Sequence, residues 1–428
     1  MGQDLDRKEF PIRLQLSKSV YLLVLMLLSV CLFHFKPIAR YTDFDICLAA
    51  FFLWLILGHF LYKPWGKWLS ISLHRTDWLV FIIWLGVVIS FLPARTLYGQ
   101  SFLTSLVVSR NMLTLIALPF LFVIKPSRQD IEKAAKWFSV ILLVFSILDA
   151  MNLPIIERSF FIDEERPRKL IAEDEFVMLL PGFQWVGISL CFCLDRLKKV
   201  FSARNLLSSL FFFAAVFLLQ NRTMLFTCAL FFVYTFFTVK GKTPKQTAVI
   251  RYGTLLIIAV IIGTTIPQWL KLFQETSSQL GNDQYNRILA YNYFLFQACP
   301  SAIYYLTGTG MISAHASSIM RDLMNAGIHN SDVGFVGLWN HYGILPVIAT
   351  VIVAFKGLKK GSPLYLKFNA LLILIGGATI ACFNTPDKIL WLCAFIYLVY
   401  DVTGTSVAAA SGRTVPTGDS QHTDLIGG

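Results

Sequence analysis

Apolar segments alternate with polar connections along nearly the whole chain. Most segments hold about 17 to 20 residues, the length that a helix needs to cross ~30 Å of hydrocarbon. A segment within lipid must satisfy its backbone hydrogen bonds internally, so helices are expected. The pattern therefore predicts an all-α protein, a polytopic transmembrane helical bundle of about 12 spans. The predicted spans are Val20 to Phe35, Phe44 to Tyr62, Trp78 to Pro93, Thr104 to Ile124, Trp137 to Asn152, Val177 to Leu194, Leu206 to Gln220, Met224 to Val239, Thr254 to Leu270, Phe335 to Phe355, Phe368 to Phe383 and Ile389 to Tyr400.

The amino-acid composition excludes a soluble globular protein. Hydrophobic residues make up 56% of the 428 residues and charged residues 14%. Soluble domains hold about half and about a quarter, respectively. The eight cysteines have no spacing typical of a disulfide framework or of a metal site. The chain is therefore expected to be a membrane protein without a metal centre.

Lysine and arginine residues divide the connections into two sets. When the connections are taken alternately, the set that includes both termini holds twice as many of these residues as the other set. The positive-inside rule places the richer set in the cytoplasm. The net charge of +12 follows from this distribution and does not indicate a nucleic-acid partner. Both termini are therefore predicted to be cytoplasmic.

One connection is far longer than the others, and it lies on the outer side. A long connection in a compact protein is usually functional, so we expect the site there. The predicted organisation is a cytoplasmic N-terminus at 1–19, spans 1–9 at 20–270, a large outer loop at 271–334, spans 10–12 at 335–401, and a disordered cytoplasmic tail at 402–428.

The large outer loop contains two predicted helices and a glycine turn. In YNRILAYNYFLFQACP the apolar positions recur at helical spacing, which predicts an amphipathic helix that ends before Pro300. LTGTGM predicts a turn, and ASSIMRDLMNAGI predicts a second helix that ends near Gly327. GIHNSDVGFVGLWNHYGILPV then gathers two histidines, two asparagines and an aspartate at the start of an apolar run.

These motifs occur in an order that resembles a known family. Arg287 precedes an aromatic-rich helix, Pro300 and the Gly308-x-Gly310 turn follow, and a His–Asn cluster leads into a glycine-punctuated span. Earlier, LQNRTMLF places Arg222 in a very short outer turn. The order resembles the large periplasmic loop, and the arginine turn before it, of the O-antigen ligase and O-antigen polymerase superfamily. SDVGFVGLWNHYG, which contains Asp332, is more similar to the polymerase branch.

The resemblance implies an enzyme of the bacterial inner membrane with its active site at the periplasmic face. It implies a metal-independent inverting glycosyltransferase that needs no cofactor and lies among membrane lipids. The donor is an undecaprenyl-diphosphate-linked oligosaccharide. A polysaccharide polymerase passes the glycan to an acceptor glycan on a second carrier, whereas an O-antigen ligase, the alternative, passes it to lipid A core. A polysaccharide or small-solute transporter is the second alternative.

The candidate site residues take their roles from this chemistry. Arginine suits a diphosphate because its planar guanidinium stays charged and engages phosphate oxygens in pairs. A histidine can take the proton of an acceptor hydroxyl. Structural alternatives exist, because arginines also anchor span ends and Asn or Asp residues also cap helices. Asp149 is one candidate ion-pair partner of Arg110. The predicted catalytic residues are His329, Asp332 and Arg287, the diphosphate-binding residues are Arg222, Arg287, Arg110 and Arg321, and the supporting residues are Asn330, His341, Asp387 and Asp149.

Overall fold

The computed structural model of the chain consists of helices. The residues that it describes are 16–41, 43–62, 77–151, 180–219, 221–239, 243–245, 247–248, 252–253, 270, 274, 286–313, 322–323, 328, 333–379 and 385–410. All regular elements in these ranges are helical, which confirms the all-α prediction. In chain order they include α1 (Lys18–Ser29), α2 (Phe44–Tyr62), α3 (Asp77–Ile89), α4 (Phe91–Tyr98), α5 (Phe102–Val108), α6 (Ala117–Ile124), α7 (Arg128–Ala150), α8 (Gln184–Lys199), α9 (Ala203–Leu218), α10 (Arg222–Thr238), α11 (Asn286–Asn292), α12 (Ala302–Thr307), α13 (Gly334–Tyr342), α14 (Ile344–Gly357), α15 (Leu364–Thr379) and α16 (Pro386–Ala410).

Few of these helices are both long enough and apolar enough to cross a membrane alone. Two helices among the described residues have the required length and apolar character, Phe44–Tyr62 and Trp78–Tyr98. A third is reached if Phe102–Val108 and Arg110–Ile124, which meet at an angle of 65°, form one span. Shorter apolar helices such as Ile344–Gly357 make up much of the rest. These helices agree with a membrane protein, whereas the twelve-span count stays a prediction.

Two predicted spans are interrupted. The span predicted from Thr104 to Ile124 consists of α5, a 3₁₀ segment at Arg110–Ile116 and α6. The span predicted from Phe335 to Phe355 is broken at Gly343, which has φ 77° and ψ −175° and separates α13 from α14. The prediction of continuous helices was wrong at both places. An apolar run shows that a segment is buried, but it does not show whether the helical hydrogen bonds continue through it.

The centre of the bundle is α8, which packs against α7, α9, α10 and α15. Its residues from Gln184 to Leu194 are all buried. The apolar part of α16 is also enclosed, from Ile389 to Val399. A helix that is buried on all sides belongs to the interior of a bundle. Large apolar side chains at the periphery, such as Leu53 and Phe81, are exposed, as expected of a surface that faces lipid.

Residues of the basic set of connections meet at one end of the bundle, which we call the basic end. The ammonium of Lys18 donates to the carbonyl of Lys125 at 2.9 Å. The hydroxyl of Tyr397 donates to the carbonyl of Pro126 at 2.9 Å. The N–H of Leu364 donates to the carboxylate of Asp195 at 3.1 Å.

Residues of the other set meet at the opposite end, which we call the loop end. Arg110 forms an ion pair with Asp45 at 2.7 Å, and Asp387 accepts the N–H of Gly182 at 3.0 Å. Gln100 donates to the carbonyl of Met311 at 2.9 Å. Asp387, Gln100 and Met311 lie in connections that the sequence assigned to the outer side, whereas Arg110 was predicted to lie inside a span. The last helix, α16, continues to Ala410, past the predicted span end at Tyr400.

Candidate functional site

The helix that carries Arg287 lies against the start of α13. Helix α11 begins at Asn286 and continues as a π-helical turn, Tyr293–Gln297, before Pro300. Its apolar side chains form a small cluster with Val333, separate from the main core. Residues three and four positions apart share a helix face, so Arg287 lies on the same face as Ala290 and Tyr291. The face that carries Arg287 is therefore the face that packs.

Arg287 is a partly buried cation whose surroundings leave one donor free. Its Nε atom is buried and has no hydrogen-bond partner among the described residues. Burial raises the pKa of the neighbouring Tyr291, and the positive charge of Arg287 opposes that shift, which shows that the two groups interact. A buried donor without an acceptor costs about 1–3 kcal/mol. The position therefore suits a ligand that brings an acceptor, above all an anionic one.

The same cluster includes the described residues on either side of positions 329–332. Val333 belongs to the cluster, and Ile328 packs against it. The helix of Arg287 therefore contacts both of these residues. His329, Asn330, Asp332 and also Arg321 lie outside the described residues.

The predicted glycine turn packs against the break between α13 and α14. The N–H of Thr309 donates to the carbonyl of Asn340 at 2.7 Å, and the N–H of Gly310 donates to the carbonyl of His341 at 2.9 Å. A Cβ on Gly308 would stand 2.5 Å from the backbone nitrogen of Gly343. Gly308 and Gly343 both have φ near +77° with extended ψ, a region that only glycine readily adopts. Two backbones therefore touch here, which requires glycine on both sides.

Neutral polar side chains surround this contact. The hydroxyl of Thr309 donates to the carbonyl of Asn340 at 3.1 Å, and the amide of Asn340 donates to the thiol of Cys299 at 3.6 Å. The indole N–H of Trp339 donates to the carbonyl of Tyr305. His341, a supporting candidate, contributes its backbone carbonyl, while its partly buried ring contacts Tyr342. The turn is thereby tied to α13 without charged groups.

Arg110 is engaged by groups of the protein. Its Nε lies 2.7 Å from the carboxylate of Asp45, and its Nη1 donates to the carbonyl of Val107 at 2.9 Å. The guanidinium also lies over the ring of Phe44, 4.9 Å from the centroid. The carboxylate that pairs with Arg110 is therefore Asp45; Asp149 lies in the last turn of α7, with its side chain outside the described atoms. No contact within the described ranges links Arg110 to Arg287.

Asp387 joins two helix starts. It lies in the first turn of α16, where it is buried. Its carboxylate accepts the backbone N–H of Gly182 at 3.0 Å and the side-chain amide of Gln184 at 2.6 Å. A carboxylate near helix N-termini is also favoured by the helix dipole. The described contacts give Asp387 a structural role between α8 and α16.

Arg222 is the first residue of α10, as the short outer turn predicted. The residue before it, Asn221, caps the helix, because its side-chain oxygen accepts the N–H of Met224 at 3.0 Å. The backbone position of Arg222 is therefore fixed at a helix start. Its side chain lies outside the described atoms, so its direction relative to Arg287 stays a prediction.

One contact of the loop end was not predicted from the sequence. Asp45 gave a signal, an acid in the first turn of a predicted span, but its partner is 65 positions away. The hollow beside Cys31 has essentially no space for a water molecule, so it cannot hold a glycan.

No protein-family model matches the chain. No curated protein is significantly similar to it either.

Proposed function

We propose that the protein is an inner-membrane glycosyltransferase that acts on undecaprenyl-diphosphate-linked glycans at the outer face. Of the activities considered, we propose that of a polysaccharide polymerase first. The observation that carries the proposal is the position of Arg287. Its buried Nε lacks an acceptor among the described residues, and its helix packs against Ile328 and Val333, the residues on either side of positions 329–332. A cation with a free donor, together with His329 as the proposed general base, suits the transfer of a glycan from a diphosphate.

The proposed reaction needs one nucleophile, one proton acceptor and one stabilised leaving group. The acceptor hydroxyl attacks the anomeric carbon of the first sugar, and the bond from that carbon to the phosphate oxygen breaks with inversion. His329 takes the hydroxyl proton, with Asp332 beside it. Arg287 and Arg222 hold the diphosphate as negative charge grows on it. One well-placed donor of this kind contributes about 2.7–4 kcal/mol to the rate, by analogy with oxyanion holes.

The O-antigen ligase reading differs from the polymerase reading in the acceptor alone. Both start from the same lipid-linked donor and need the same cations. Arg110 and Arg321 remain further diphosphate candidates in either reading, although the ion pair with Asp45 occupies part of the Arg110 guanidinium. Asp332 at the start of the segment favours the polymerase, on the resemblance described above.

A transporter is the second candidate, and the break at Gly343 favours it. Carriers often bind substrate where a transmembrane helix is broken, through the backbone groups that the break frees. Here the carbonyls of Asn340 and His341, next to the break, accept hydrogen bonds from Thr309 and Gly310. Because the protein itself satisfies these carbonyls, the break is better explained as packing for the glycine turn than as an ion site.

The decisive experiment supplies purified protein in lipid vesicles with a short lipid-linked oligosaccharide and one of two acceptors. If the second lipid-linked oligosaccharide is the acceptor and the products form a ladder of increasing glycan length, the result supports the polymerase. Transfer only to core lipopolysaccharide supports the ligase. Movement of a fluorescent lipid-linked sugar between leaflets, without any transfer, contradicts both and supports the transporter.

Substitution of Arg287 tests the residue that carries the proposal. We expect Arg287→Ala to lower the rate of transfer about 10²–10³-fold, since it removes a donor to the leaving diphosphate. Arg287→Lys keeps the charge but loses the paired donors, so we expect it to remain strongly impaired. Product length and initial rate on a gel measure the effect.

The matched control is Arg95→Ala. Arg95 belongs to the same outer set of connections and is exposed, with its guanidinium 5.2 Å from the ring of Phe102. Its loss removes an equal charge from the same side and should leave transfer unchanged. Parental activity of Arg287→Ala, at equal amounts of inserted protein, would refute the role of Arg287.

A further inference from the structure

Two helices that pack side by side allow depth in the bundle to be counted in residues. The span Trp78–Tyr98 has 21 residues, so it rises about 31 Å and can cross ~30 Å of hydrocarbon. Its first part, α3, packs against α14. The ammonium of Lys356, near the end of α14, lies 5.6 Å from the ring centroid of Trp78. Tryptophan and lysine are typical of a membrane interface, and together these two residues mark the edge of the hydrocarbon at the basic end.

The break at Gly343 lies inside the hydrocarbon by this measure. Gly343 precedes Lys356 by 13 residues along α14, which corresponds to a rise of about 20 Å. A hydrocarbon layer of ~30 Å that begins at the basic end extends about 10 Å beyond that level. Gly343 is therefore in the half of the layer that belongs to the loop end.

The glycine turn lies at the same depth when it is measured along the other helix. A Cβ on Gly310 would stand 2.5 Å from the Cβ of Ala94 and 2.7 Å from the carbonyl oxygen of Ser90. Ser90 and Ala94 follow Trp78 by 12 and 16 residues, a rise of about 18 and about 24 Å. Both helices thus place the turn about 20 Å from the basic end, short of the end of the span.

The backbone of the turn meets the conditions for such a depth. An irregular backbone within hydrocarbon is tolerated only where protein buries it and satisfies its polar groups. Residues 308–310 are all buried. Each of their N–H groups donates to a backbone carbonyl at 2.7 to 2.9 Å, those of Tyr304, Asn340 and His341. The turn can therefore lie at this level without water.

Helix α12, which leads into the turn, has one apolar face without protein contacts of its own. Ile303 and Leu306 are 59% and 63% exposed, and residues three apart share a helix face. Tyr305 instead packs inward, with its hydroxyl donating to the carbonyl of Leu295 at 2.6 Å and its ring 5.6 Å from that of Trp339. The six residues of α12 rise about 9 Å, close to the distance from the turn to the edge of the layer.

This apolar face continues a surface that already faces lipid. Helix α12 contacts α14, and α14 packs against α3. Ile348 of α14 is 46% exposed, and Leu92 of α4 is 57% exposed. Leu92 follows Trp78 by 14 residues, a rise of about 21 Å, so it lies at the level of the turn. Three neighbouring elements thus present large apolar side chains outward in the half of the layer at the loop end.

We propose that α12 and the glycine turn form a re-entrant segment that enters the leaflet at the loop end, with Ile303 and Leu306 against the acyl chains of membrane lipids. Lipid is the occupant that fits, because α12 has no charged residue and its face is continuous with that of a spanning helix. The inference requires that the bundle spans a membrane, and it does not depend on glycan transfer.

Spin labelling of the full-length protein in phospholipid vesicles tests the re-entrant segment. A nitroxide is attached to Ile303→Cys or Leu306→Cys, and power saturation measures its collisions with oxygen, which concentrates in hydrocarbon, and with a water-soluble nickel chelate. The reference positions are Leu92→Cys, at the same depth on the spanning helix, and Lys133→Cys, exposed at the basic end. We expect the ratio of oxygen to nickel collisions at both sites to match Leu92→Cys and to exceed Lys133→Cys several-fold.

Two other results would contradict the proposal. Nickel collisions at Ile303→Cys and Leu306→Cys as frequent as at Lys133→Cys would place α12 in water. Few collisions with either reagent would show that protein covers this face, and spin–spin broadening that disappears on dilution with unlabelled protein would identify a second copy of the chain. All four positions are exposed, so the substitutions should change stability little. The signal of the unsubstituted protein is subtracted, and its cysteines in the described part are buried.

Discussion

At the basic end, charged side chains hold the helices together, whereas backbone groups and neutral side chains hold the glycine turn at the loop end. Glu132, whose side chain is 1% exposed, accepts from Lys136 at 2.7 Å and pairs with Arg196 at 2.8 Å. Asp195, 2% exposed, pairs with Arg128 at 2.6 Å and with Lys199 at 3.0 Å. The turn at Gly308 instead meets α13 through backbone hydrogen bonds.

This comparison of the two ends distinguishes charged side chains that are paired and stabilise the fold from charged side chains that remain available to bind a ligand. Buried carboxylates at the basic end each have two cationic partners. At the loop end Arg287 has a buried Nε without an acceptor in the described part. A site for a lipid-linked diphosphate requires cations whose protein partners leave them available. Arg128 at the basic end also has a buried Nε without an acceptor, but its Nη2 pairs with Asp195 at 2.6 Å. The part of the chain that the structure describes contains no such ion pair for Arg287, so the loop end meets the requirement there.

The largest expected effect comes from breaking the backbone contact at the loop end with Gly343→Ala. A Cβ there would stand 2.8 Å from the carbonyl carbon of Thr307, at a φ of 77° that strains any other residue. Strain of about 1–3 kcal/mol adds to overpacking of about 1–3 kcal/mol. We expect a much lower thermal midpoint in detergent. A thiol-reactive dye under reducing conditions measures it, because the cysteines of the described residues are buried.

The control for this substitution is Gly376→Ala. Gly376 lies in α15, and a Cβ there meets nothing within 4 Å. Alanine also favours a helix over glycine by about 1 kcal/mol, so the midpoint should stay or rise. Equal midpoints for Gly343→Ala and the parent would show that the two backbones do not touch.

The sequence predicted local features well and long-range ones poorly. The amphipathic period in YNRILAYNYFLFQACP predicted the helix of Arg287, because such a period reports burial on one face. The glycines of LTGTGM predicted a turn. No local pattern indicated that this turn contacts Gly343, because the contact joins positions 35 apart. A glycine within a span is also usually interpreted as a site of close helix packing. The positions of residues 329–332 relative to Arg287, and the count of spans, remain predictions.

An intermediate effect is expected at the basic end from Glu132→Gln. The substitution removes the negative charge that both cations face and replaces one accepting oxygen with an NH₂ donor; a hydrogen bond to a charged group contributes about 1.5–3 kcal/mol. The partners are 25% and 45% exposed, so water compensates part of the loss, and a net cost of about 1–3 kcal/mol is expected. The thermal midpoint should fall, while the rate of glycan transfer per folded molecule should not.

Lys133→Gln is the matched control for that substitution. Lys133 is exposed on the same helix, next to Glu132. Exposed substitutions of this kind usually change stability by less than about 0.5 kcal/mol. If Glu132→Gln abolished transfer in fully folded protein, the basic end would have a catalytic role and the contrast between the two ends would fail.

The smallest effect is expected at the ion pair of Arg110 with Asp45, the one ion pair described above at the loop end. The two side chains are 35% and 68% exposed, and exposed pairs contribute about 0–1 kcal/mol. A double-mutant cycle of Arg110→Met and Asp45→Asn should therefore give a coupling energy below about 1 kcal/mol. The same variants test whether Arg110 binds the diphosphate. If Arg110 only stabilises the fold, both single variants transfer glycan equally well. Loss of transfer in Arg110→Met alone, with Asp45→Asn active, would make Arg110 a diphosphate ligand beside Arg287.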